Sequence, residues 1–362
     1  MKKRTDAESI KQSLSSDKTL LNSQFPRKYK KYKSLQAKKV FSRSLIPAPS
    51  SISFFEKDYD EFSAFLNKLK KLARHGRILI DLKPVKHVKA AGLLVLYANI
   101  EQLQKEHEDL AIIKTTGCKL KEVSMFFRTF GIWGLTGESR IRPTKVFRDS
   151  LEVTTMTHAQ KMSNDKRGLR KILEYAQTSA KNAGMHEGKL MAYNAITESI
   201  SNVWQHAYDD EFFDPPLQEH MRNWWIIAQR IDDQFFIAMY DMGAGIPATI
   251  SKKNWAPALL EVISKMLDKK FKMFVFSDDA KSIKAAVDYG KSRFKQDNRG
   301  KGLTEAKDFV QRNPEGSMLI FSGLGHYEYK TDGDDESLHN LNSNFNGTLI
   351  QWNLKLENKD AA

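Results

Sequence analysis

The chain carries one cysteine, Cys118, in 362 residues. A disulfide framework is therefore excluded, and no Cys/His cluster has the spacing of a zinc site. Long hydrophobic runs are also missing. The longest, near residues 90–100, falls short of the roughly 20 apolar residues that span a bilayer. The opening Met1-Lys2-Lys3-Arg4-Thr5-Asp6 leads into no apolar core of a signal peptide. Together these absences give the expectation of a cytoplasmic protein with no membrane partner. Acidic residues are scarce at one end: residues 1–44 hold 13 Lys/Arg against 3 Asp/Glu, which supplies most of the formal charge of +14. The densest part, Arg27-Lys28-Tyr29-Lys30-Lys31-Tyr32-Lys33, alternates cations with aromatics. That pattern suits a solvated leader or a segment that contacts the phosphates and bases of nucleic acid.

The length predicts two domains at about 150 residues each, and a hydrophobic content of 41% can fill their cores. From Arg77 the pattern alternates: a β-like run at Ile78 to Leu82, an apolar-periodic helix at Ala91 to Glu106, a second β-like run at Leu110 to Lys114 and a helix at Leu120 to Phe130. Asp58 to His75 reads as a further amphipathic helix. Short strands alternating with helices argue for an α/β layer fold.

Three pieces in the second half carry chemistry. In Glu-Ser-Ile-Ser-Asn-Val-Trp-Gln-His, residues Glu198, Asn202 and His206 are four apart, so on a helix they drift slowly round one face and can converge on one ligand. The other side carries the apolar stripe Ala195, Ile196, Ile200, Val203 and Ala207. A hairpin is predicted next, with Trp224 to Ile231 and Phe235 to Tyr240 joined at Asp232-Asp233-Gln234. It delivers Asp241 to a strand end, where Gly243 and Gly245, before Ile246, let the backbone bend and approach a flat ligand. A carboxylate there can accept a hydrogen bond from an exocyclic amine. The third piece, Gly300-Lys301-Gly302-Leu303, opens a run of helical composition, whose first N–H groups suit phosphate oxygens. Arg299 and Lys301 flank Gly300, either as solvated loop cations or as donors to phosphate oxygens.

These stretches resemble, from about Gln160 to Leu354, the GHKL ATP-binding superfamily of gyrase, the heat-shock chaperone, histidine kinases and the mismatch-repair ATPase. Its motifs Glu-x3-Asn-x3-His, Asp-x-Gly-x-Gly and Gly-x-Gly-Leu are all present, as is a Gly-Thr, here Gly347-Thr348, before a last strand. The resemblance implies ATP and Mg²⁺ as cofactors, with Asn202 as the metal ligand. Asp241 would bind the adenine amine, supported through water by Thr348, and Glu198 would orient or deprotonate the nucleophile. His206, Gly243, Gly245, Ile246, Arg299, Gly300, Lys301, Gly302 and Leu303 would complete the nucleotide site.

Residues 51–137 resemble a STAS domain, the module of anti-sigma-factor antagonists, anchored on Ile78-Leu79-Ile80-Asp81-Leu82 and Val88-Lys89-Ala90-Ala91-Gly92-Leu93. Where that family places Asp-Ser-Ser, this chain has Lys89, Ala90 and Ala91. The resemblance therefore implies a module without its phosphoacceptor serine, used for docking or dimerisation. The expected architecture is α/β: a basic leader over 1–46, a STAS-like α/β domain over 47–150 and a GHKL (Bergerat) α/β sandwich over 151–362. A lid is expected between Ser251 and Arg299, with helices at Leu259 to Phe271 and Ala280 to Phe294. A turn is expected at Ser322 to Gly325 and a surface loop over Lys330 to Asn346. His158 reads as a surface histidine, since Thr-His-Ala-Gln lacks a phosphoacceptor context.

One such site serves hydrolysis, protein phosphorylation and switching. The expected function is a slow ATPase or protein-serine kinase that controls a protein partner through the STAS-like half, with a homodimer as one possible assembly. The alternative is an ATP-dependent switch that associates with nucleic acid through residues 27–33.

Overall fold

The computed structural model describes residues 39–55, 58–137, 150–157, 167–182, 188–270, 277–288 and 302–355. The basic stretch 27–33, His158 and the end of the expected second lid helix, 289–294, lie outside them. The chain divides after Lys39 into two units, and the architecture below is that of the larger, Val40–Ala362.

The fold is mixed α/β. Its first sheet has the order β1-β2-β4-β6, built from β1 (Lys39–Val40), β2 (Arg43–Pro47), β4 (Ile78–Asp81) and β6 (Ile113–Thr115). Strands β2, β4 and β6 run parallel. Their crossovers are helices α1 (Asp58–Ala73) and α2 (Ala90–Glu106). A small parallel pair, β3 (Ser51–Ile52) and β5 (His87–Val88), lies beside them. Helices α3 (Lys121–Thr129) and α4 (Ile132–Leu135) follow. The glycine of the Ala90-Ala91-Gly92 start of α2 is required by packing, because a Cβ on Gly92 would stand 2.5 Å from the Ile52 carbonyl oxygen.

The second sheet is antiparallel, in the order β10-β11-β9-β8-β7. Its strands are β7 (Ser150–Thr157), β8 (Asn223–Ile231), β9 (Gln234–Asp241), β10 (Ser317–Lys330) and β11 (Asp335–Lys355). The predicted hairpin is β8–β9. Among the described residues six α-helices belong to this half: α5 (Arg167–Asn182), α6 (Gly188–Asn202), α7 (Ile246–Ser251), α8 (Ala256–Lys270), α9 (Asp278–Asp288) and α10 (Gly302–Gln311).

Side-chain alternation along these strands decides how the halves assemble, because successive residues point to opposite faces. Trp224, Ile226, Phe235, Ile237, Met239, Met318, Ile320, Ile350 and Trp352 enter one core with residues of α5, α6, α8, α9 and α10. Trp225, Ile227, Ala238, Tyr240, Leu319, Phe321 and Leu349 enter another core, shared with α1, α2 and the parallel sheet. Both faces of the antiparallel sheet are therefore dry along β8, β9 and the facing segments 317–322 and 347–354, which is why β8 reads as the unbroken run Trp-Trp-Ile-Ile-Ala. Helix α2 lies between the two sheets and is apolar nearly all round, as a helix enclosed on all sides must be.

Its polar positions are paired across the seam. Glu101 accepts hydrogen bonds from Trp225 Nε1 at 2.5 Å and Thr155 Oγ1 at 2.7 Å, and Lys105 donates to Asn223 Oδ1 at 3.1 Å. On α1, the Tyr59 hydroxyl donates to the Ser343 carbonyl at 2.8 Å. Phe54 packs between Phe321 and Phe345, with ring centroids 5.9 and 5.1 Å away.

Three expectations are corrected. The leader boundary at 46 falls inside β2, whose Leu45-Ile46 pairs with Leu79-Ile80; the cations around it hid a strand. The strand expected at Leu110 to Lys114 begins at Ile113, and Leu110 is exposed in the preceding turn. Ser322 to Gly325 is an irregular stretch within β10, and most of Lys330 to Asn346 is β11 after a single 3₁₀ turn at Asp332–Asp334. That stretch is polar because few of its residues face a core: Leu338 and Phe345 are buried while most of their neighbours meet water.

Candidate functional site

Helix α6 docks through Ala192, Ala195, Ile196 and Ile200, all buried, and this leaves Glu198 and Asn202 half-buried on its flank. Beyond Asn202 the helix widens into a π-helical turn, Val203–Ala207. Such turns are rare and recur at functional sites. The wider turn places His206 nearer to the line of Glu198 and Asn202 than the drift of a regular helix would. His206 is half-buried, and burial followed by the charge of Lys253 lowers its pKa.

The end of this turn is stitched to the Asp241–Gly245 loop. Ala244 N–H donates to the Ala207 carbonyl at 2.8 Å. The Tyr208 hydroxyl donates to the Asn223 carbonyl and accepts from Met242 N–H at 3.0 Å. A Cβ on Gly243 would lie 2.3 Å from the Ala207 carbonyl oxygen, so only glycine permits this approach. The first and second sequence motifs are thus adjacent.

Asp241 is the last residue of β9 and is 5% exposed. Its Oδ1 accepts from Gly243 N–H at 2.8 Å. Burial pushes its carboxyl up to about 7, against the opposing effect of backbone hydrogen bonds from Gly243 and Thr348. Across the strand pair, Thr348 is the register partner of Asp241. The preceding Gly347 has φ +80, and a Cβ there would meet the Asp241 carbonyl oxygen at 1.9 Å. Ser322 joins these parts: its Oγ accepts from Ile246 N–H at 2.9 Å, donates to the Gly347 carbonyl at 2.8 Å and lies 3.4 Å from Thr348 Oγ1.

Asp241, Gly243, Gly245, Ile246 and Thr348 therefore form one connected group, next to the helix end that carries Asn202 and His206. Helix α10, which begins at Gly302 with Leu303 buried, packs along α6. Arg299, Gly300 and Lys301 lie outside the described residues. Among the described residues no group of three or more His, Cys, Asp or Glu could hold a metal ion. Ser322 and Tyr208 were not among the predicted site residues. Ser322 stands in a Ser-Gly-Leu-Gly stretch that reads as a turn, and Tyr208 lies just past the helical pattern; only the tertiary structure brings either to Asp241.

No protein-family model, curated protein or solved structure matches the chain.

Proposed function

We propose that this chain binds an adenine nucleotide with Mg²⁺ in the manner of the GHKL superfamily, and that a STAS-like N-terminal layer couples that site to a protein partner. The observation that carries the proposal is Asp241: a buried carboxylate at a strand end, on a glycine-shaped loop, held by backbone N–H groups with no cation pairing it among the described residues. Two such donors leave lone pairs on a carboxylate that accepts about four, so its chemistry fits the exocyclic amine of a purine. Asn202 fits a Mg²⁺ that keeps most of its waters and takes its remaining oxygens from phosphate. Bound there, the ion would neutralise charge on the phosphoryl group. Glu198, on the flank of α6 one turn before Asn202, takes the role of base for a water or for a partner serine hydroxyl. Slow ATPase or protein-serine kinase activity follows. Ala90 and Ala91 at the start of α2 offer no hydroxyl for phosphorylation, which suits α2 to a permanent contact with the second sheet.

Calorimetric titration of ATP into the parent and Asp241→Asn tests the reading. The variant should lose about 1–3 kcal/mol of binding, the cost of an unmatched buried polar pair. Equal affinities would exclude Asp241 from the nucleotide site. Glu198→Ala should keep its ATP affinity and lose phosphate release or phosphotransfer, since a general base acts in the transition state. Unchanged turnover would remove Glu198 from that role.

A further inference from the structure

A second charged group lies in the same half of the protein. Glu336, in β11, is bridged by two buried lysines from different helices. Lys284 of α9 reaches its Oε2 at 2.6 Å, and Lys307 of α10 pairs with its Oε1. Lys284 also pairs with Asp288 Oδ2 at 2.7 Å. The Tyr327 hydroxyl donates to Glu336 Oε1 at 2.9 Å, and the Lys307 ammonium sits 4.5 Å from the centroid of the Tyr329 ring. Beside this group the Thr304 hydroxyl, in the first turn of α10, donates to the Val287 carbonyl in the last turn of α9 at 2.7 Å. Two helices and a β-hairpin thus meet on one carboxylate.

Apolar side chains of similar volume would hold such elements together at least as well, because ions lose hydration on burial. What an ion cluster adds is register: two ammonium groups can share one carboxylate in only one alignment of α9, α10 and β11. That alignment fixes where the first turn of α10 stands along α6, the helix that carries Glu198 and Asn202.

We infer that Glu336, through Lys284 and Lys307, is a positioning residue for the phosphate end of the nucleotide site, holding the start of α10 in place without touching the ligand. The inference rests on the nucleotide reading above. It separates two ends of one ligand. The adenine end, Asp241 to Ile246 with Thr348 and Ser322, shares strands β10 and β11 with the cluster but none of its ion pairs or side-chain hydrogen bonds; the phosphate end depends on α10, whose Lys307 is itself a member of the cluster.

The experiment compares ATP and adenosine binding to the full chain, as parent and as Glu336→Gln, with circular dichroism confirming the fold. Expected is adenosine affinity within about twofold of the parent and ATP affinity reduced roughly tenfold. Equal weakening of both ligands would reduce the cluster to general stability, and unchanged ATP binding in a folded variant would overturn the inference. Should Glu336→Gln fail to fold, Lys307→Met, which leaves one lysine for Glu336, provides the same comparison, and Lys307→Arg should restore ATP affinity. Failure of that restoration would also count against the inference. A parent protein that binds neither ATP nor adenosine would instead remove the nucleotide reading on which the inference rests.

Discussion

Asp241 and Glu336 stand on adjacent strands of one sheet, β9 and β11, and their surroundings drive them in opposite directions. Among the described residues Asp241 is held by backbone donors, and burial lifts its carboxyl to about 7. Burial acts upward on Glu336 too, but hydrogen bonds and charge from Lys284 and Lys307 outweigh it and bring the carboxyl down to about 2. A carboxylate surrounded by cations completes itself within the protein. One held dry without a cation costs free energy in the folded state, and such groups collect at functional sites. The difference supports the proposed assignment of Asp241 to a ligand and of Glu336 to the frame.

The comparison can be broken most directly at Asp241. Its folded pKa lies above the ordinary value of 3.8, so between pH 4 and 7 the folded state binds more protons than the unfolded chain. Stability must then fall as pH rises through that window and level off above it. Asp241→Asn should remove the slope and raise stability at pH 8 by an amount on the order of 4 kcal/mol. Chemical denaturation at several pH values checks this; identical slopes in variant and parent would refute the contrast.

At Glu336 the sign reverses. Its folded pKa lies below the ordinary 4.5, so the contribution is present above that pH and is lost as pH falls toward 2. Glu336→Gln should destabilise the protein by about 2–3 kcal/mol near pH 7, less than a fully buried pair because part of the side chain meets water, and should flatten the acid limb of the stability curve. A smaller effect belongs to a third carboxylate, Glu101, in the seam with Trp225 and Thr155. Glu101→Gln keeps the shape but weakens charge-assisted hydrogen bonds, with an expected cost of about 1 kcal/mol. It should leave the pH slope assigned to Asp241 intact; a slope that changed would refute the assignment of that slope to Asp241.

These contrasts also show what the residues disclosed in advance. Asp241 and its glycines were legible because the β8–β9 hairpin is local and strongly apolar, so the motif falls at a strand end. The α1–β4–α2 run was legible from its periodicity. Glu336, Lys284 and Lys307 were not, since they are far apart in sequence and charged residues ordinarily face water. The first part of β11, 335–346, was hidden for a related reason: a strand that pairs along its backbone while leaving most side chains exposed or only half-buried resembles a loop. The dipeptide Trp224-Trp225 gave no sign that its two rings enter different cores, because alternation carries no signal when both faces are apolar.

That double covering has a consequence for inheritance. A sheet with a wet face can pass between proteins as a unit, since its outer residues already tolerate solvent. Here Trp225, Ile227, Tyr240, Leu319, Phe321 and Leu349 would be stripped bare if the N-terminal half were exchanged for an unrelated one. Recombination that separated the halves would produce sticky fragments. A substitution on α2 that alters its volume therefore calls for an answering change on the strand that ends at Asp241.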